Sequence, residues 1–359
     1  MAVDTEPALS IRGLYKVFND DGDGLQLAID GRSKDDIQEE TGAVVGLRDI
    51  NIQIGRGELF VVMGLSGCGK STLVRCINRL IEPSVGQVWL DGREVTAMNQ
   101  EDLREIRRRE LAMVFQHFGL MPHRNVLDNV GLPLEVAGVD KQERRERANS
   151  ALELVGLGEW TGSMPNQLSG GMKQRVGLAR GLAMDTPVLL MDEPFSALDP
   201  VIRRELQDEL LALQESVQKT IVFITHDLNE AVRVGDRIAI MRDGEVVQVG
   251  APNDVVLNPA DSFVREFTQD VRLHGMVTAA SIMDTGVEAL TAQVDDRYVV
   301  LEDAVLDELV PAGLSATQPL QVVNRAGVLV GVIPLERLAR AMVSDEAAVA
   351  ATTEGEPAG

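Results

Sequence analysis

The chain is poor in cysteine, in lysine and in long apolar runs, and two of these shortages exclude something. Only Cys68 and Cys76 occur among 359 residues. No disulfide framework is expected, and a reducing compartment is. No stretch approaches the ~18 apolar residues of a membrane-spanning helix. The opening MAVDTEPALS has neither a basic segment nor an apolar core, so no secretion signal is read. A cytosolic protein is expected, with any membrane role coming through a partner. Positive charge is scarce: 34 Lys and Arg face 56 Asp and Glu, a formal net charge of −22. Such a field disfavours nucleic acid and anionic lipid as main partners and suits solubility at high internal salt. Only six of the bases are Lys, a compositional trait from which no function is drawn. The rest is ordinary globular usage, 45% hydrophobic and 25% charged, enough for one large domain and a smaller one.

Residues 8–18 and 43–63 carry β-type runs, the second ending in the apolar LFVVM. Between them lies an acidic insert, 19–42. Asn19, Asp21, Asp23, Gly24 and Asp30 fall at calcium-loop positions, but a strand precedes them and Asp replaces the final Glu. An acidic solvated loop is therefore expected there. Ser33 to Gly42 reads as a short helix, capped by Ser33 with Asp36 and stopped by Gly42. Residues 71–81 are expected helical, QVWLDG a strand and turn, and 100–110 a charged helix with Arg107–Arg109 on a solvated face. LAMVFQ (111–116) reads as a strand, and 126–185 as mostly helical with breaks at 131–138 and 156–165. VLLMD (188–192) and IVFITHD (221–227) are short apolar runs of the kind found in buried parallel strands, with a helix, 200–216, between them. RIAIMRDGEVVQVG reads as two strands around an Asp-Gly turn. From 271 to 359 there are 13 acids, five bases and no Lys. That region reads strand, turn, strand, helix before a low-complexity tail, 344–359.

Four pieces carry chemistry. GLSGCGKST (64–72) follows an apolar strand and opens a helix, the context a phosphate-binding P-loop requires. Its backbone N–H groups suit phosphates, Lys70 the β- and γ-phosphates, and Ser71 a Mg²⁺ ion. Cys68 reads as a small residue filling a gap. VLLMDE buries a strand and delivers two carboxylates at its end, Asp192 for Mg²⁺ through water and Glu193 to orient and polarise an attacking water. His226 and Gln116 end two further strands, so all four strand ends are expected at the phosphate-facing edge of one sheet. His226 suits the γ-phosphate; Gln116 suits Mg²⁺ or the attacking water. The fourth piece is LSGGMKQR (168–175). Ser169, Gly170 and Gly171 at a helix start form a second anion cradle, in a chain whose nucleotide core needs one.

In this order, the pieces resemble the ATP-binding subunits of ABC transporters. GLSGCGKST looks like that family's Walker A, VLLMDE its Walker B, LSGGMKQR its signature, Gln116 its Q-loop, SALD (196–199) its D-loop and His226 its switch histidine. The resemblance covers about residues 8–268. MGLSGCGKSTLVRCINRLIEP, VFQHFGLMPHRNVLDNV, THDLNEAVRVGDRIAIMRDGEVVQVG and the insert with GRSKDDI resemble the branch that imports glycine betaine and proline betaine.

The resemblance implies an α/β fold: a P-loop NTPase with a RecA-like parallel core sheet, an antiparallel β subdomain and a helical subdomain at about 117–172. These make an ATP-binding domain over 1–269. QPLQVVNRAGVLVGVIPLERLARAM resembles half of a CBS motif, implying a shortened, small α+β CBS-like regulatory domain over 270–343. Phe18 stands at the adenine-stacking position, with Tyr15 as its neighbour and competitor. Gly64, Ser66, Gly67, Cys68, Gly69, Lys70, Ser71 and Thr72 are implied as phosphate contacts, and Gln116, Asp192, Asp199 and His226 join the nucleotide site. The catalytic set is Glu193, His226, Gln116 and Lys70, and the metal set Ser71, Gln116 and Asp192; the cofactors are ATP and Mg²⁺. Two copies pair head to tail, so that each signature closes over the other's ATP. A transmembrane permease and an extracytoplasmic substrate-binding protein complete the complex, with no nucleic acid, and the chain sits at the cytoplasmic membrane face. Other readings remain: an importer for an amino acid or methionine, a soluble ABC protein of DNA repair or translation, or a ligand-sensing module whose cassette is incidental.

Overall fold

The computed structural model describes residues 6–115, 119–196, 198–269, 278–285, 298–304, 306–339 and 341. The chain divides into two compact units, Met1–Asp227 with Val234–Val249, and Leu228–Arg233 with Gly250–Gly359.

In the first unit β1 (Leu9–Phe18) pairs antiparallel with β2 (Val44–Ile54) and with β4 (Val85–Leu90); β5 (Arg93–Glu94) completes a four-stranded sheet. The insert between β1 and β2 is more ordered than a solvated loop. Besides α2 (Lys34–Thr41), capped by Ser33 and stopped by Gly42 at φ +74°, it contains α1 (Gly24–Ile29). The Asp20 carboxylate accepts from the Gly24 and Leu25 N–H groups at 2.9 and 3.0 Å, so it starts a helix. Ala28 and Ile37 then bury against Val17, Ala43 and Val45.

A six-stranded sheet forms the centre, in the order β10-β9-β3-β8-β7-β6. Its strands are β3 (Leu59–Gly64), β6 (Leu111–Val114), β7 (Val188–Asp192), β8 (Thr220–Thr225), β9 (Arg237–Arg242) and β10 (Glu245–Gly250). β9, β3, β8, β7 and β6 run parallel. Every residue of β3, β7 and β8 is buried, which is why these strands are continuous apolar runs. Asp243 and Gly244, both at positive φ, turn β9 into β10. Leu9, Leu47 and Ile50 of the antiparallel sheet meet Phe60, Leu190 and Val222 of the central one, with α3 (Lys70–Ile77) in the same core.

α3 stops earlier than the pattern suggested, because Arg79 adopts φ +53° and its guanidinium bonds the Val95 and Met98 carbonyls. α4 (Gln100–Arg109) presents Arg108 and Arg109 to solvent. Arg107 departs from the expected solvated face: it donates twice to the Asn78 carbonyl, tying α4 to the end of α3. The helical part comprises α5 (Val126–Val130), α6 (Leu132–Val136), α7 (Lys141–Leu154) and α8 (Gly170–Leu182). The expected break at 131–138 is α6 itself, since Pro133 sits in its first turn, where no N–H is required. α9 (Pro200–Val217) links β7 to β8.

The second unit contains α10 (Leu228–Val234) up to Arg233, α11 (Pro252–Leu257), α12 (Ser262–Thr268), α13 (Ala279–Ile282) and α14 (Leu306–Ser315). Its sheet of β11 (Val299–Leu301), β12 (Leu320–Val323) and β13 (Leu329–Ile333) is parallel between the first two strands and antiparallel between the last two. Ile282, Leu309, Leu320, Val322, Ile333 and Leu338 form its core. The tail 344–359 lies outside the described residues.

Candidate nucleotide site

The parallel strands bring separate sequence pieces to one edge. β3 ends at Gly64, beside Thr225 of β8 through Met63; Asp192 ends β7 in register with Ile224. The loop after β3 is held by close packing. A Cβ on Gly64 (φ +152°) would stand 2.2 Å from the Met241 carbonyl oxygen, and one on Gly69 (φ +104°) 2.5 Å from that of Gly46. Only glycine fits. Lys70 starts α3 with its side chain buried; its ammonium donates to the Gly64 and Leu65 carbonyls at 2.7 and 3.0 Å. Cys68 is buried in the loop, with Sγ 3.9 Å from that ammonium. Burial pushes the thiol above its ordinary value, against the pull of Lys70, and a neutral gap-filler results. Ser66 is exposed at the loop tip and Thr72 half-buried on α3.

Asp192 is fully buried and accepts from Ser71 Oγ at 2.8 Å. Glu193 follows at φ +48°, a conformation that costs a non-glycine residue about 1–3 kcal/mol. Backbone hydrogen bonds hold it there. Its N–H donates to the Ile224 carbonyl at 3.1 Å, and its own carbonyl accepts from Gln174 Nε2 at 3.3 Å, Ser196 Oγ at 3.1 Å and the Ser196 N–H at 3.4 Å. This directs the carboxylate toward His226, whose Nδ1 lies 3.3 Å from Oε2. His226 remains 60% exposed while Glu193 is 16% exposed, so a carboxylate backed by protein meets an imidazole open to a ligand. Hard oxygen donors, a primary ammonium, free loop N–H groups and a carboxylate–imidazole pair can together hold a polyphosphate and orient a water at its end.

Phe18 and Tyr15 lie on opposite faces of β1. Tyr15 packs into the apolar cluster under the insert, and burial, then the Asp49 carboxylate, raises its phenol. Phe18 lies against Gly46, where a Cβ would come within 2.7 Å of its ring, and Lys16 Nζ sits 4.9 Å from its centroid. Asp199 accepts from the Val201 and Ile202 N–H groups as the N-cap of α9. Gln116 falls outside the described residues. Ser169 caps α8 through Met172 N–H at 3.3 Å. Among the described residues no hydrogen bond or ion pair joins Ser169, Gly170 or Gly171 to the loop of 64–72. Sequence reasoning missed two contributors: Gln174, which holds the Glu193 carbonyl, and Arg75, whose Nη2 lies 3.5 Å from Asp192 Oδ2. Arg75 had a readable signal, lying one turn after Ser71 on the same helix face.

A glycine-wrapped phosphate loop, a buried Asp-Glu strand end and a facing histidine on a parallel sheet define a P-loop nucleotide hydrolase of the cassette type. A family model described as "ABC transporter" matches residues 47–196. The chain belongs to the ABC transporter ATP-binding proteins, and it is an ATPase. It is 54% identical over 275 residues to the glycine betaine/proline betaine transport system ATP-binding protein ProV of Escherichia coli (strain K12), covering 76% of this chain and 69% of that one. It is 45% identical over 328 residues to the trimethylamine N-oxide transport system ATP-binding protein TmoW of Ruegeria pomeroyi, covering 91% and 94%. A solved dimeric ATP-binding cassette in a post-hydrolysis state, bound to ADP and Pi, is 33% identical with TM-score 0.59, covering 68% of this chain and 98% of that one. Cassettes of this family dimerise and work with a membrane permease. Among the described residues no helix is long and apolar enough to cross a membrane.

Proposed function

We propose that this chain hydrolyses ATP to power import of glycine betaine/proline betaine-type solutes, with two copies sandwiching two ATP molecules head to tail. One observation carries the reading. Lys70, Ser71, Asp192, Glu193 and His226 gather at one sheet edge, while among the described residues nothing beyond the chain neighbours and backbone of its own helix lies within 4 Å of where a Gly170 Cβ would be. A helix start left open at Gly170 suits a second copy's nucleotide.

On this reading the loop of 64–72 binds the phosphates, Phe18 supports the base, and Lys70 turns from the loop carbonyls to the β- and γ-phosphates. Glu193 orients the attacking water, and His226 hydrogen-bonds the γ-phosphate. Ser169 and Gly171 donate from the far side, where charge develops in the transition state. Gln116 completes the site from the end of LAMVFQ, and Asp199 serves it through the α9 cap. The Ser71 hydroxyl and Asp192 carboxylate, 2.8 Å apart, are hard oxygen donors and fit Mg²⁺; when bound, that ion neutralises phosphate charge.

A permease contact is placed at the groove of about 600 Å³ lined by Phe115, Gly119, Leu132, Pro133, Val136 and Met184. This brings the chain to the cytoplasmic membrane face, and an extracytoplasmic binding protein is the further partner. The region 270–343 is read as a shortened CBS-like regulatory domain following an ATP-binding domain over 1–269. A trimethylamine N-oxide-type solute is the second reading, favoured by the match over 94% of TmoW.

Glu193→Gln tests the hydrolytic roles. ATP binding is retained, dimers are trapped, and turnover falls by about 10²-fold or more; unchanged turnover overturns the role of Glu193. Uptake of labelled glycine betaine against labelled trimethylamine N-oxide by the reconstituted complex decides the solute.

A further inference from the structure

Asp192 ends β7 with no exposed surface. A carboxylate so placed is held only where donors and a counter-charge meet it. Among the described residues it has two side-chain partners, one on each oxygen. Ser71 Oγ donates to Oδ1 at 2.8 Å, and Arg75 Nη2 faces Oδ2 at 3.5 Å. Both come from α3 and stand four residues apart, so one helix face presents a hydroxyl and, one turn later, a cation. The Arg75 side chain makes no other hydrogen bond or ion pair among the described residues, and it is 40% exposed. The guanidinium approaches Asp192 from the wet side, while Ser71 approaches from the phosphate loop.

Ser71 and Asp192 are also the oxygens assigned above to the divalent cation, and the present inference rests on that assignment. A guanidinium on one carboxylate oxygen and a divalent cation drawn to the other compete for a single negative charge, and the two cations repel across it. Without nucleotide, Asp192 and Arg75 cancel, and little attraction remains for a free metal ion. With nucleotide present, the phosphates bring the missing negative charge.

We propose that Arg75 is a positioning residue that makes divalent-metal binding conditional on nucleotide. It balances and orients the Asp192 carboxylate in the empty cassette, and it weakens metal binding until phosphate oxygens join the site. This concerns binding order and needs no chemical step.

Mn²⁺ titrations followed by the EPR signal of the free ion test it, on the full-length protein with and without the non-hydrolysable analogue AMP-PNP. In the wild type, Mn²⁺ binds with AMP-PNP and negligibly without it. In Arg75→Met, which keeps the aliphatic stem and removes the charge, Mn²⁺ affinity with AMP-PNP rises by about 3- to 10-fold and binding without nucleotide becomes measurable. Arg75→Lys stays near wild type. Unchanged or weaker Mn²⁺ affinity in Arg75→Met, in a protein whose melting curve shows it folded, overturns the inference, because local damage would loosen the metal. Asp192→Asn separates the two layers. If it leaves Mn²⁺ binding intact, or if wild type with AMP-PNP binds no Mn²⁺, the metal assignment fails and Arg75's role fails with it. If Asp192→Asn abolishes binding while Arg75→Met changes nothing, only the role of Arg75 is lost.

Discussion

The two glycine-bearing cradles are built on opposite terms. In the loop of 64–72 the glycines answer to their own chain: Gly64 and Gly69 hold positive φ, and a Cβ on either would strike a backbone carbonyl. The loop even satisfies its own lysine, through the Gly64 and Leu65 carbonyls. In the signature, Gly170 opens α8 in ordinary helical geometry, exposed, and among the described residues nothing beyond its chain neighbours and its own helix backbone lies within 4 Å of its missing Cβ. Glycine is a poor helix former, by up to about 1 kcal/mol against alanine, and no contact at that position among the described residues compensates. A residue that weakens its own helix without helping its own packing is explained by something that approaches from outside.

The largest expected effect breaks the first cradle. Gly69→Ala forces a Cβ into φ +104° and against the Gly46 carbonyl, which costs about 2–5 kcal/mol. Thermal melting falls sharply, and the same chain loses nucleotide binding. A protein that melts like wild type would show that the loop's glycines are not held by packing.

Gly170→Ala should behave in the opposite sense. Melting is unchanged or slightly higher and ATP binding is retained, while hydrolysis falls by about tenfold or more as the added methyl blocks the approaching phosphates. Mixed dimers sharpen this. With Gly170→Ala on one chain and Lys70→Ala on the other, head-to-tail pairing leaves one intact composite site. With both on the same chain it leaves none. ATPase assays giving equal activity for the two arrangements would sink the head-to-tail reading.

The same contrast explains what could be read from sequence. Residues at strand ends were legible because an apolar run ending in Asp-Glu or Thr-His states both the strand and its exit. Likewise the Ser33 cap and the Asp243-Gly244 turn are local signals for local structure. The rest depended on partners distant in the chain or on capping out of view. α1 was hidden because Asp20 caps it from four and five residues away within a string that looked like an acidic loop. Arg107 looked solvated until the Asn78 carbonyl was found beneath it. Arg75 is an unremarkable helix arginine until β7 brings Asp192 to its face from 117 positions away.

The smallest expected effect distinguishes the helices behind the cradles. α3 carries Cys76, fully buried, whose thiol burial pushes up to about 12; α8 carries no cysteine. The folded state therefore keeps a proton that the unfolded chain releases near the ordinary thiol value of about 8.5. The resulting stability is complete below about 8.5 and is lost as pH rises from there toward about 12. Urea unfolding between pH 7 and 10 should show wild-type stability falling more steeply than that of Cys76→Ala, by up to about 1.4 kcal/mol per pH unit above the thiol's ordinary value. Parallel slopes would mean that Cys76 ionises as readily in the folded protein as in the unfolded chain. The helix behind the first cradle would then be open to water at its core, and the packing contrast between the cradles would end at the loop.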